Sequence, residues 1–234
     1  MTTATDTPTQ TGQKPPMTQV EAAHTVIETI TQMAQEQKPL MLRVVPEDGA
    51  TFWTHYPEKD ARDKYCKSRW YYHVHAAGSR DADEHGHFHL FLHRTQLPQG
   101  LEPKVWPPQR EDARAHVTHI IGLSIDTNGV PRSWFTVNRF VTNEFLYPAD
   151  VMIEHLPQFN VDHTQEDDLV NRFVTAMVAL YRDEIAELLR ERDKRQEELV
   201  AEFGEDAYSK ESGVEVLSQI AIDLDAKLGS LELG

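Results

Sequence analysis

Two stretches decide the fold: Trp70-Tyr-Tyr-His-Val-His-Ala76 and His85-Gly-His-Phe-His-Leu-Phe-Leu92. Side chains alternate faces along a strand, so His73 and His75 share one side of the first stretch while Tyr72 and Val74 take the other. In the second, His85, His87 and His89 oppose Phe88, Leu90 and Leu92. The period of two predicts an antiparallel strand pair joined across Gly78-Ser79-Arg80-Asp81. Register then follows from burial. Pairing residues whose numbers sum to 160 or 162 sets Tyr72 and Val74 beside Phe88 and Leu90, whereas a slip of one residue would put histidines in the core. These registers place His73 opposite His87 or His89, and His75 opposite His85 or His87.

Outward from this hairpin the pattern continues as sheet and then turns helical. The stretches 116–126 and 130–141 form a second expected pair across Asp126-Thr-Asn-Gly129, and 40–45 reads as a strand ending at the Pro46-Glu-Asp-Gly49 turn. Ahead of them, Thr18 and Glu21 have the spacing of a capping box. Val20, Ala23, Ile27, Ile30 and Ala34 then follow on one helical stripe that Lys38-Pro39 stops. Behind them, 168–203 and 214–228 carry apolar residues at helical spacing. The Thr/Pro/Gln-rich residues 1–16 predict a disordered leader. The expected architecture is α+β: an N-terminal helix, a central mainly antiparallel sheet and C-terminal helices. It forms a single domain over 17–234, with the histidine-rich sheet at 40–145 and the helical part at 164–230.

Composition limits the function. The 234 residues carry a formal charge of −15, and 19 acids against 8 bases from Asn160 to Gly234 put −11 of it in the helical part. No basic cluster is dense enough for phosphate binding, so a nucleic-acid partner is not expected. The apolar runs are far shorter than the roughly 20 residues a bilayer core requires, so no membrane partner is expected either. With one cysteine, Cys66, and no secretory signal pattern, a reducing cytoplasmic location is expected. Cys66 itself reads as packing in a strand-like stretch.

Histidine is the unusual count. Of 12, nine lie between His55 and His119. Strands stand about 4.8 Å apart, with same-face residues roughly 6.6 Å apart along each. Imidazoles on that grid can converge on one ion with metal–nitrogen distances of about 2.0–2.1 Å. Imidazole suits a divalent transition metal, Zn, Fe, Ni or Cu, and three histidines leave an open position for hydrolytic or oxidative chemistry on a small anionic or polar substrate. The candidate ligands are His73, His75, His87 and His89, with His119 as an alternate. By parity His119 sits with Ile121, Leu123 and Ile125, where a hydrogen-bonded core histidine is the competing role. Glu84 is either a ligand, a general base or a solvated loop acid beside Asp81 and Asp83. Arg139 presents a planar donor fork suited to a substrate anion, or forms a structural ion pair with Glu144. His55-Tyr56-Pro57 reads as a turn first and as a site candidate second. A metal carrier or sensor without turnover is the non-enzymatic alternative, and oligomeric state is not legible.

The combination of Thr54-His-Tyr-Pro57, Tyr71-Tyr-His-Val-His75, Glu84-His-Gly-His-Phe-His-Leu-Phe91, Val137-Asn-Arg-Phe-Val-Thr142 and Leu188-Leu-Arg-Glu-Arg-Asp193 resembles a bacterial family catalogued as a domain of unknown function. The resemblance spans roughly residues 54–228 and implies a shared domain with no assigned activity. A local stretch, His85-Gly-His-Phe-His-Leu-Phe91, is similar to the histidine-triad motif. That similarity implies a nucleotide hydrolase or transferase with His87 as nucleophile and His85 and His89 supporting it. Gly86 departs from the motif's apolar spacer.

Overall fold

A computed structural model describes residues 15–75, 83–107 and 116–231. The leader expected over 1–16, except for its last two residues, and the 78–81 hairpin loop lie outside them. The chain opens with helix α1 (Gln19–Gln35), where Thr18 and Glu21 form the expected reciprocal capping box. A six-stranded antiparallel sheet follows in the order β1-β2-β3-β4-β5-β6. Its strands are β1 (Tyr56–Arg62), β2 (Arg69–Val74), β3 (Glu84–His93), β4 (Val117–Asp126), β5 (Pro131–Val137) and β6 (Val216–Ala221). Between β5 and β6 run α3 (Arg139–Thr142), α4 (Ala149–His155), α5 (Asp168–Leu180) and α6 (Arg182–Phe203). The fold is α+β. No helix among the described residues is long and apolar enough to cross a membrane.

The hairpin register is the one burial demands. Tyr72 faces Phe88, His73 faces His87 and Tyr71 faces His89, a constant sum of 160. One face of the sheet carries Trp70, Tyr72, Phe88, Leu90, Leu123 and Trp134 into a single apolar cluster with Val26 of α1, Met152 of α4, Phe173 and Met177 of α5 and Leu188 of α6. Burying each large side chain contributes about 1.5–3 kcal/mol, so this face fixes the register and leaves the opposite face to the histidines.

Five local expectations are corrected. Residues 40–45 form a short helix, α2 (Leu40–Val44), which packs Leu40 and Met41 into the core behind Pro39. Five residues, four of them apolar, have no period that separates strand from helix, and leucine and methionine favour helix. The expected helix over 214–228 is instead β6 followed by α7 (Leu224–Gly229), capped by Asp223. The β5 edge takes up β6, and Ser218 is buried against Thr136 and the Leu188 carbonyl. The sheet edge therefore overrides a helical spacing. Helix 168–203 is broken at Tyr181 into α5 and α6. His55-Tyr-Pro57 leads directly into β1, an edge strand whose Pro57, Glu58, Lys59 and Asp60 are residues that discourage further pairing. Finally, Cys66 lies in the turn between β1 and β2, half-buried, with its thiol donating to the Asn160 carbonyl at 3.0 Å and pushed up in pKa by burial.

Candidate metal centre

Two β-bulges decide which side chains reach the histidine face. Between Glu84 and Gly86 the β3–β4 register slips by one residue, with His85 the extra residue. Strict alternation would place Glu84 with Phe88 and Leu90; the bulge brings it instead to the histidines, a re-aiming typical of bulges. There Glu84 Oε1 lies 2.7 Å from His87 Nδ1, and Oε2 accepts from Ser124 Oγ at 2.7 Å. Conversely, His85 leaves the histidine row and bonds the Tyr72 hydroxyl at 2.8 Å. Gly86 permits this, since a β-carbon there would come within 2.4 Å of the His73 carbonyl oxygen and 2.7 Å of the Tyr72 hydroxyl.

The second bulge falls between Leu90 and Phe91, opposite Ile121 and His119, and leaves Ile120 unpaired. It reverses the parity of the start of β4. His119 therefore joins the histidine face and not the apolar side that simple alternation assigns it, with Nε2 2.9 Å from His89 Nδ1. Val117 turns the same way and packs with Tyr71 and Phe91.

The result is a connected row of rings. His87 and His89 are each about 1% exposed, and their Nε2 atoms stand 3.1 Å apart. His73 faces both at ring-centroid distances of 4.4 and 5.3 Å, and its Nε2 lies 2.9 Å from His75 Nε2. Two groups can each hold a metal ion: His73, His87 and His89; and His75, Glu84 and His87. Within each, the ligand atoms lie within 4.8 Å of one another. A tetrahedral ion with bonds of 2.0–2.1 Å has ligand atoms about 3.3 Å apart, close to the observed His87–His89 separation.

Protonation reinforces this geometry. A carboxylate only accepts, so His87 Nδ1–H donates to Glu84 and Nε2 is the nitrogen turned toward His89. With His89 Nδ1–H donating to His119 Nε2, the two Nε2 atoms face each other across 3.1 Å, a contact that a metal ion or a proton between them makes favourable. The metal-free alternative is a one-way chain in which His119 donates to His89 and His89 donates to His87. Either way both Nδ1 atoms are engaged, the arrangement by which outer hydrogen bonds fix the tautomer of metal-binding histidines. His119 is held neutral: burial, aided by Arg192, pushes its pKa down to about 3. Burial also lowers His85, and takes His93, which bonds Thr95, down to about 4.

Aromatic rings wall the row. Phe135 sits edge-on to His87 and His89 at 5.0 and 6.0 Å. Gly122 makes room for it, because a β-carbon at 122 would lie 2.3–2.7 Å from three atoms of the Phe135 ring. His55 stacks on Tyr71 at 3.8 Å, and Trp53, 65% exposed, meets His75 edge-on at 4.5 Å. Alternation could have singled out Ser124 and Phe135 once β4 and β5 were aligned. Nothing in the sequence pattern marks Trp53.

Arg139 stands apart from both ligand groups. Its Nη2 donates to the Tyr208 carbonyl at 3.1 Å, while Nε and Nη1 are buried without a hydrogen-bond partner. Glu144, 4% exposed, is pushed up to about 7 by burial against the pull of Arg139 and of the His119 backbone. The expected Arg139–Glu144 pairing is thus an electrostatic proximity.

Fold and site together define an α+β protein with a histidine-lined sheet face that can hold a metal ion. The family described as a domain of unknown function, DUF6969, matches residues 20–222, and the chain belongs to it. No curated protein and no solved structure matches. The histidine-triad similarity finds no support in the geometry, since His85 turns to Tyr72 and not to His87.

Proposed function

We propose that the chain is a metalloprotein that binds a divalent transition metal through His73, His87 and His89, with a coordination position left open for water or a small polar substrate. The observation that carries this is the 3.1 Å approach of the buried His87 and His89 Nε2 atoms, each on a ring whose Nδ1 is already engaged. Three neutral nitrogen ligands leave the ion's charge undiminished. Such a centre lowers the pKa of a coordinated water toward neutrality, which favours hydrolysis over oxidation. In this assignment Glu84 and His119 orient His87 and His89, and His75 flanks the centre. Competition between the chelator-treated chain and a chromophoric chelator for Zn(II) tests the ligand set. His73→Ala and His89→Ala should each abolish tight binding at this centre, and wild-type affinity and stoichiometry in both variants would refute the assignment.

A further inference from the structure

The second ligand group points beyond a single ion. We infer that the site is binuclear, with the His87 imidazole bridging two metal ions: one on Nε2 with His73 and His89, the other on Nδ1 with Glu84 and His75. This rests on the metal-binding assignment just made and extends it.

The two groups share only His87, and the structure places His89 of the first and Glu84 of the second at opposite nitrogens of that ring. Nε2 faces His89 at 3.1 Å and Nδ1 faces Glu84 at 2.7 Å. His75 reaches the same ring, stacked on His87 with centroids 4.9 Å apart, and its ligand atom lies within 4.8 Å of those of Glu84 and His87. The carboxylate matters chemically. Two dications close together repel, and the bridging ring and Glu84 supply the compensating negative charge. An ion at Nδ1 displaces the proton that Nδ1 otherwise donates to Glu84, so the ring becomes an imidazolate and one proton leaves to solvent. The 2.7 Å contact then opens by about 0.6 Å to the ligand separation of a tetrahedral ion. Ser124, donating to Glu84 Oε2 at 2.7 Å, holds the carboxylate with Oε1 turned to the ring. The bulge at His85 has its use here, because without it Glu84 would belong to the apolar face.

The test is stoichiometry on the full untagged chain, stripped with chelator, reloaded with Cu(II) or Zn(II), desalted and analysed for metal. Two equivalents are expected in the wild type, and one in His75→Ala, just past β2, and in Glu84→Gln, at the start of β3, with folding of both checked by circular dichroism. One equivalent in the wild type overturns the second ion while leaving the mononuclear centre standing; none overturns both. Two equivalents that persist in both variants place the second ion elsewhere and overturn the inference. With Cu(II), the electron paramagnetic resonance signal present at one equivalent should largely vanish at two, through coupling across the imidazolate. Two additive, uncoupled signals would overturn the bridge.

Discussion

Gly122→Ala is a single added methyl group with a calculable consequence. Its β-carbon would stand 2.3 Å from Phe135 Cζ, where ordinary contact begins near 3.4 Å, so the ring must move by about 1 Å. The ring cannot do so freely, because His87 and His89 lie across from it at centroid distances of 5.0 and 6.0 Å. Overpacking of this kind costs about 1–3 kcal/mol. For a chain of this size that lowers Tm by roughly 2–12 °C, at about 2–4 °C per kcal/mol. A 1 Å displacement also exceeds the roughly 0.5 Å tolerance of a preorganised site, so Zn(II) affinity should fall at least about tenfold. Differential scanning calorimetry and chelator competition read the two effects. A variant with unchanged Tm and unchanged affinity would refute the claim that Gly122 exists to seat Phe135 against the histidines.

Three further outcomes are expected. Glu84→Gln should weaken the His73–His87–His89 centre by about 10–100-fold in a Zn(II) titration, because an amide cannot supply the charge that fixes His87; full wild-type affinity would contradict this. His85→Ala should leave that affinity intact while losing about 0.5–1.5 kcal/mol of stability with the Tyr72 hydrogen bond, so loss of the metal would return His85 to the site. Glu144 keeps its proton to about pH 7 in the fold but to about 4.5 in the unfolded chain, so its burial weakens stability as pH rises between those values. Glu144→Gln cannot ionise, and its Tm relative to the wild type should therefore rise from pH 5 to pH 8, by an amount equivalent to at most about 3 kcal/mol; a difference that does not change with pH would refute the shift.

How much of this was legible in the sequence depends on where alternation holds. From Trp70 to Val74 and from His87 to Leu90 the period of two is unbroken, and register, core face and the His73–His87 pairing all follow from it. At His85 and Ile120 the period fails. A bulge inserts one residue with no signature in composition, and each bulge exchanges the faces of its neighbours: Glu84 moves in, His85 moves out and His119 moves in. The histidine count therefore pointed to the sheet face that carries the candidate ligand groups, while their membership depended on two irregularities that only the paired strands reveal. At β6 the cause differs. Leu217, Ile220, Ala221 and Leu224 fit a helical stripe, and the unpaired edge of β5, which no local window contains, decided for strand.

Metal content of the full untagged chain, purified without chelator, tests the central claim most directly. The account predicts at least one equivalent of Zn, Fe, Ni or Cu, lost on His87→Ala, the residue both ligand groups share, in protein that remains folded. A wild-type chain that neither carries nor takes up any of these ions would contradict it.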